Sequence, residues 1–260
     1  MSFSTAGEIT APLSDAEPGV PTLAPADGGS LPATELTVAP VSMLSAVAIR
    51  IFDVVVAGLL VVVLLPLIAL VVVAVRVESA GPAFFRCERV GYRGRRLRML
   101  KLRKMCHEAQ GLSLTTDGDT RFTRIGGVLS KLKIDEIPQL FHVLRGTMSL
   151  VGPRPESPEF VNLHPRDYGV ILSVRPGITG LSQLAFFHER RMLDPDDPVG
   201  HYVSSILPQK VALDRTYANR RTLSLNVRIL LWTVATMVTR RQVEVHGDTG
   251  RMKIRRAGDP

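Results

Sequence analysis

From Val54 to Val75 the chain reads VVVAGLLVVVLLPLIALVVVAV, 22 residues without a charge or a hydroxyl, with Arg50 and Asp53 before it and Arg76 and Glu78 after it. A helix rises about 1.5 Å per residue, so this run reaches roughly 33 Å and matches a hydrocarbon core about 30 Å thick. The sequence therefore places it in a bilayer. Pro66, near its middle, removes a backbone donor and crowds the preceding turn, which leaves open both a kinked span and a helix that dips in and returns. The leader free of basic residues and the basic chain that follows favour an outside leader under the positive-inside rule. Arg50 and Asp53 resist burial in the far leaflet and favour the return.

Charge is distributed unevenly around this segment. The first 49 residues hold five acids and no Lys or Arg, so the overall net charge of +8 leaves an excess of thirteen positive charges in the remainder. Such a body meets anions: nucleic acid, anionic lipid or phosphorylated substrates. Aromatic residues make up only 5% of the 260 residues, too few for the interleaved stacking of a nucleic-acid platform. Cys87 and Cys106 form no disulfide framework and no metal spacing with the six histidines, and read as reduced thiols. The Pro/Ala/Gly/Thr-rich leader, residues 1–42, lacks the basic start of a secretory signal and reads as a flexible tether.

Residues 82–105, PAFFRCERVGYRGRRLRMLKLRKM, predict a β-hairpin turning at Gly91-Tyr92-Arg93-Gly94. Nine basic residues lie between Arg86 and Lys104, and most suit contact with anionic headgroups. Lys101 and Arg103, two apart on a strand, share a face and together suit a diphosphate. In Ile134-Asp135-Glu136-Ile137-Pro138, Asp135 reads as a helix N-cap with Pro138 in the first turn. Capping alone explains these five residues. Alternatively, adjacent carboxylates divide labour, one attacking phosphorus and the other holding a divalent cation. Arg154 in Gly152-Pro153-Arg154-Pro155 and Arg175 in Arg175-Pro176-Gly177 stand in rigid turns suited to phosphate. Helices are expected from Val199 to about Arg220 and from Leu223 to Thr239, the second interfacial with Trp232 near the headgroups.

Taken in order, these motifs resemble the bacterial sugar transferases, the monotopic phosphoglycosyl transferases. The resemblance runs from Arg50 to about Arg240 through RIFD (50–53), FFRCERVGYRGRRLRMLKLRKM (84–105), DEIPQLFHVLRGTMSLVGPRPE (135–156), RPGITGL (175–181) and Leu213-Asp214 with Tyr217. It implies transfer of a sugar-1-phosphate from a nucleotide diphosphate sugar, usually a uridine diphosphate sugar, to polyprenyl (undecaprenyl) phosphate, the first membrane step of exopolysaccharide or glycoconjugate assembly. By this resemblance Asp135 is the nucleophile, forming a covalent phosphosugar, and Glu136 is a ligand of Mg²⁺. Lys101, Arg103, Arg154, Arg175 and Asp214 bind substrate. The expected architecture is α+β and mostly helical: a re-entrant membrane helix over residues 43–78 broken near Pro66, a catalytic domain at 79–240 on the cytoplasmic face of the bacterial inner membrane, amphipathic interfacial helices, a small β-hairpin and a disordered basic tail at 241–260. Nucleic acid is not an expected partner, membrane lipid is, and a homo-oligomer is compatible with the sequence.

The chain departs from the family pattern in the stretch AFFHERRMLDPDDP (185–198), which lacks a common glycine-arginine pair, and at three single positions. Ser130 stands where an arginine is usual, with Lys131 or Lys133 as candidate replacements; Thr147 stands for an aspartate; Ser182 stands for a tryptophan. These positions fall where sugar or nucleotide specificity is expected. Two other readings accommodate a basic membrane-anchored chain: a phosphate- or nucleic-acid-binding scaffold without catalysis, and a lipid diphosphate phosphatase.

Overall fold

The computed structural model describes residues 42–106, 114–116, 119–247 and 249–254. The leader before residue 42 and most of the polar loop after Cys106 lie outside the described residues.

Helix α1, Met43–Glu78, takes the whole apolar run into 36 residues and starts where Ser42 Oγ accepts from the Ser45 amide. The expected break at Pro66 does not interrupt it. Ile49, Asp53, Ala57, Ile68, Val71 and Val75 are buried, and Val61 and Leu64 partly so. These positions recur every three or four residues and form one stripe along the helix. Packing on either side of Pro66 holds the helix through the position where one hydrogen bond is lost. The other faces, including Leu59, Val62, Leu70 and Val73, remain exposed and apolar.

Strands β1 (Phe84–Val90) and β2 (Arg96–Leu102) form the expected antiparallel hairpin. At its turn Arg93 adopts φ 56°, and Gly94, at φ 72°, takes the left-handed backbone at no steric cost. Helix α2 (Arg124–Lys131) begins at Thr123, whose Oγ1 caps Gly126 N. A Cβ on Gly126 would lie 1.9 Å from the Lys104 carbonyl oxygen, so glycine permits α2 to press against the end of the hairpin. Next come a 3-10 turn (Ile134–Gln139) and α3 (Leu140–Arg145).

Strand β3 (Ser149–Val151) is parallel to β4 (Gly177–Thr179), joined by a crossover containing α4 (Pro158–Val161) and α5 (Pro165–Ile171). This pair brings the two proline turns together. A Cβ on Gly177 would lie 2.0 Å from Gly152 N, and Gly152 N donates to Thr179 O at 2.8 Å. After β4 come α6 (Leu181–Ala185), α7 (Glu189–Met192), α8 (Pro198–His201), a π-helical turn (Tyr202–Ile206), α9 (Leu207–Arg220) and α10 (Leu223–Thr239). Residues after Arg240 are not featureless: β5 (Val243–Val245) pairs antiparallel with β6 (Met252–Ile254), and Val243 is buried. Alternating β-branched residues flanking Glu244 suit an edge hairpin despite the basic composition.

The architecture is α+β and mostly helical, as the sequence indicates. The main core gathers Val143, Leu150, Leu184, Tyr202, Leu207 and Tyr217, and Ala57 of α1 joins it. A second cluster joins Val71 and Val75 of α1 to Leu102 and Leu129. The body thus grips α1 along its stripe toward both ends. At the first, Arg50 donates to the Val143 and Leu144 carbonyls of α3 at 2.7 and 3.0 Å, and Asp53 accepts from Ser149 Oγ at 2.6 Å.

Candidate active site

Asp135 and Glu136 are both buried in the 3-10 turn between α2 and α3. Asp135 is not the N-cap that its sequence context suggests. Lys133 occupies that position in a left-handed conformation, φ 58°, and no side chain caps the turn. The consecutive carboxylates are therefore free of a capping role and meet cations instead.

Glu136 Oε1 accepts from Lys101 Nζ at 3.0 Å and from Arg154 at 3.1 Å. Burial by itself would raise the Glu136 pKa, but Lys101, Arg154 and Lys133 outweigh it and hold the carboxyl well below its ordinary value. Asp135 Oδ2 lies 3.5 Å from Lys104 Nζ, which also reaches Ser130 Oγ at 3.4 Å. Lys104 and Lys133 both have pKa values pushed down, first by burial. A hairpin strand, the 3-10 turn and the Gly-Pro-Arg-Pro turn thus converge on two adjacent carboxylates.

Of the residues expected in the site, Lys101 and Arg154 contact Glu136 directly, while Arg103, Arg175 and Asp214 do not. Arg103 lies one residue past the end of β2, and its guanidinium donates to the Ser79 and Ala80 carbonyls at the end of α1. Such carbonyls carry partial negative charge without helical partners, which explains its diversion from Lys101. Arg175 Nε donates to Gly146 O at 2.8 Å, and its guanidinium stands 5.4 Å from the centre of the Tyr92 ring. Asp214 is buried on α9, accepts from Ser182 Oγ at 2.6 Å and lies against the Arg154 backbone amide; burial raises its pKa to about 7. It stands behind the Arg154 turn.

The departures find places as well. Ser182 supports Asp214. Thr147 Oγ1 lies 3.1 Å from His142 Nδ1, and His142 Nε2 accepts from the Leu100 amide, tying α3 to β2. Lys131 is exposed, whereas Lys133 is half-buried beside Glu136.

Lys104 was hidden in the basic run, where alternation cannot place a residue beyond the strand end. A buried network has no sequence signature either. Glu156 Oε1 accepts from Lys210 Nζ at 2.9 Å and Tyr202 Oη at 3.0 Å, and Lys210 also reaches Glu189 at 3.2 Å. Its members lie up to 54 residues apart, so no local spacing betrays it.

No cluster of three or more metal-ligating side chains occurs among the described residues. The donor set is two carboxylates on one turn, with Glu136 Oε1 shared by two cations. That set fits Mg²⁺, which is commonly held by one or two carboxylates and completes its shell with substrate phosphates and water. It does not fit a metal needing a full protein cage.

Residues 44–240 match the family model described as bacterial sugar transferase. A UDP-glucose:undecaprenyl-phosphate glucose-1-phosphate transferase of Caulobacter vibrioides is 37% identical over 242 residues, covering 89% of this chain and 86% of that protein. A UDP-N-acetylgalactosamine-undecaprenyl-phosphate N-acetylgalactosaminephosphotransferase of Aeromonas hydrophila is 38% identical over 67% of this chain and 40% of its own length. An undecaprenyl-phosphate glucose phosphotransferase of Komagataeibacter xylinus is 35% identical over 71% of this chain and 35% of its own. The chain thus spans most of the first relative but well under half of the other two. With the match running from the start of α1 to the end of α10, the chain belongs to the bacterial sugar transferase family.

Proposed function

We propose that the protein transfers a sugar-1-phosphate from a uridine diphosphate sugar to undecaprenyl phosphate, with Asp135 as the nucleophile. The observation that carries this reading is the buried Asp135-Glu136 pair set among Lys101, Lys104 and Arg154. An Asp135 carboxylate oxygen bonds to the sugar-bearing phosphorus while the bond to the bridging oxygen breaks. That electron pair leaves on the nucleoside monophosphate. An oxygen of the lipid phosphate then bonds to the same phosphorus and displaces Asp135, regenerating the carboxylate and releasing the lipid-linked diphosphosugar. Lys101 and Arg154 hold Glu136 and present positive charge where the phosphates arrive, and Lys104 orients Asp135. Mg²⁺, when bound at Glu136, supplies further neutralisation of phosphate charge.

A diphosphate sugar comes from water and the acceptor from lipid, so the site belongs at the membrane face. The stripe by which the body grips α1 toward both ends supports a helix that keeps both ends on one side, the cytoplasmic one; its exposed apolar faces suit lipid. Leu231, Val234 and Val238 of α10 are also exposed and suit interfacial contact. The product suits initiation of exopolysaccharide or another glycoconjugate.

The test is release of uridine monophosphate from UDP-glucose, UDP-N-acetylgalactosamine and other uridine diphosphate sugars by the full chain with undecaprenyl phosphate and Mg²⁺. Release with one donor is expected, lost in Asp135→Asn and with a chelator. Release undiminished in Asp135→Asn refutes the nucleophile. Inorganic phosphate as the product would identify a phosphatase, and nucleic-acid binding without turnover would identify a scaffold.

A further inference from the structure

The cations around Asp135 outnumber the anions. Lys101 and Arg154 pair with Glu136, and Lys104 pairs with Asp135. Nearby, Arg121 is engaged by Asp119. Two further cations close the site without a close ion pair, although Glu136 and Asp135 favour the charge on Lys133. Arg190, on α7, reaches only the Ser130 carbonyl at 3.4 Å, and its guanidinium lies 5.6 Å from the centre of the Phe122 ring. Lys104 Nζ lies 5.6 Å from that same ring, so the two cations share one aromatic platform. Lys133 Nζ stands 5.7 Å from the ring of Phe187, three residues before Arg190. Among the described residues, neither Arg190 nor Lys133 has an acid within ion-pair distance. Arg190 is near enough to Lys104 and Lys133 to oppose the charge on both.

Half-buried like charges held together by a turn, a helix and two aromatic rings repel one another unless an anion sits between them. A diphosphate brings two phosphates. The sugar-bearing one must meet Asp135, and its neighbour carries away the charge released when the bridging bond breaks. A guanidinium with several unused donors suits that departing phosphate, because its fork can hold two oxygens at once.

We propose that Arg190, assisted by Lys133, is a binding residue for the second, nucleotide-side phosphate of the donor and for the same phosphate in the departing nucleoside monophosphate. This assignment rests on the reaction proposed above. It gives the segment after β4, which carries Phe187 and Arg190, a role in holding the donor.

The experiment uses the full chain in detergent with undecaprenyl phosphate and the best uridine diphosphate sugar donor. It compares wild type, Arg190→Gln, Arg190→Lys, Lys133→Gln and, as a control, Lys131→Gln. Arg190→Gln is expected to raise the donor KM and the inhibition constant of uridine monophosphate by about tenfold to a hundredfold, the loss of a charge-assisted contact. The KM for undecaprenyl phosphate and the unfolding temperature should stay near wild type. Lys133→Gln should give a smaller rise, Arg190→Lys should recover part of the loss, and Lys131→Gln should match wild type. A donor KM and uridine monophosphate inhibition within about twofold of wild type in Arg190→Gln overturn the proposal.

A second readout separates this proposal from the catalytic one. Binding of inorganic diphosphate, measured by calorimetry, requires no turnover. If wild type is inactive with every donor yet binds diphosphate, and Arg190→Gln does not, the reaction assignment fails and the anion site stands. Equal binding by both proteins, or none by wild type, overturns the site.

Discussion

Replacing Lys210 with methionine isolates the energetics of the buried network behind the Arg154 turn. Lys210 is 3% exposed and Glu156 is 8% exposed, so the substitution leaves a carboxylate in the interior without its cation. Tyr202 still donates to Glu156, and Glu189, with a side chain 27% exposed, can rehydrate. The cost therefore falls mainly on Glu156. Breaking a buried ion pair from one side costs about 3–5 kcal/mol, or about 6–20 °C in unfolding temperature for a body of this size. The pH dependence has a definite sign. Although burial opposes it, Lys210 and Arg154 lower the Glu156 pKa in the wild type, so the pair stabilises the fold above the unfolded carboxyl pKa and loses that effect as pH falls through the folded value. In Lys210→Met the unpaired carboxylate favours its proton, so the deficit should be largest near neutral pH and shrink toward about pH 5. Thermal unfolding in detergent across pH 5–8, with Glu156→Gln/Lys210→Met alongside, measures this. A loss below about 1 kcal/mol, a loss independent of pH, or no recovery in the double variant would show that Lys210 does not neutralise Glu156 in the interior.

Gly177→Ala should cost about 3 kcal/mol and impair activity, since its Cβ meets backbone at 2.0 Å and would pry the Arg154 turn from its partner; denaturant unfolding and donor KM report the two effects. Asp214 has its pKa raised to about 7, so its contribution to stability is full below the unfolded value near 3.8 and is lost as pH rises through 7. Asp214→Asn should therefore gain stability relative to wild type as pH climbs from 4 to 8, and parallel melting curves would contradict this. Arg50→Met should cost about 1–3 kcal/mol by stripping two carbonyls at the end of α3, measured by thermal unfolding.

The legible parts of this chain are those whose pattern is local. The apolar run gave α1, the glycines at 91 and 94 gave the hairpin, and α10 lies where it is expected, whereas the helix expected from Val199 is divided into α8, the π-helical turn and α9, which itself starts at Leu207. The three-residue strands β3 and β4 are not legible, because three residues are too few to show a convincing alternation and each is flanked by Gly-Pro signals that read as turn. Asp135 and Glu136 stood out as neighbours, yet the left-handed Lys133 that turns them inward has no signature in a residue type unsuited to that conformation. Alternation placed Lys101 and Arg103 together, but the carbonyls that draw Arg103 away belong to residues 79 and 80. Lys104 and Arg190 approach the site from segments 86 residues apart, a proximity created only by folding.

The stripe on α1 makes the membrane helix and the catalytic body a single cooperative unit. Ile49 and Ala57 are fully buried, and Ala57, Val71 and Val75 belong to apolar clusters shared with the body. Trimming the chain before residue 79 to obtain a soluble enzyme would strip a wall from both apolar clusters, uncap α3 and free Ser149 of its partner Asp53. Such a fragment is expected to aggregate on expression rather than fold. Biogenesis is constrained in the same way: the nascent helix must reach lipid early, yet it cannot be committed to the bilayer as a finished, independent anchor, because its inner face completes only when α10 has emerged to meet it.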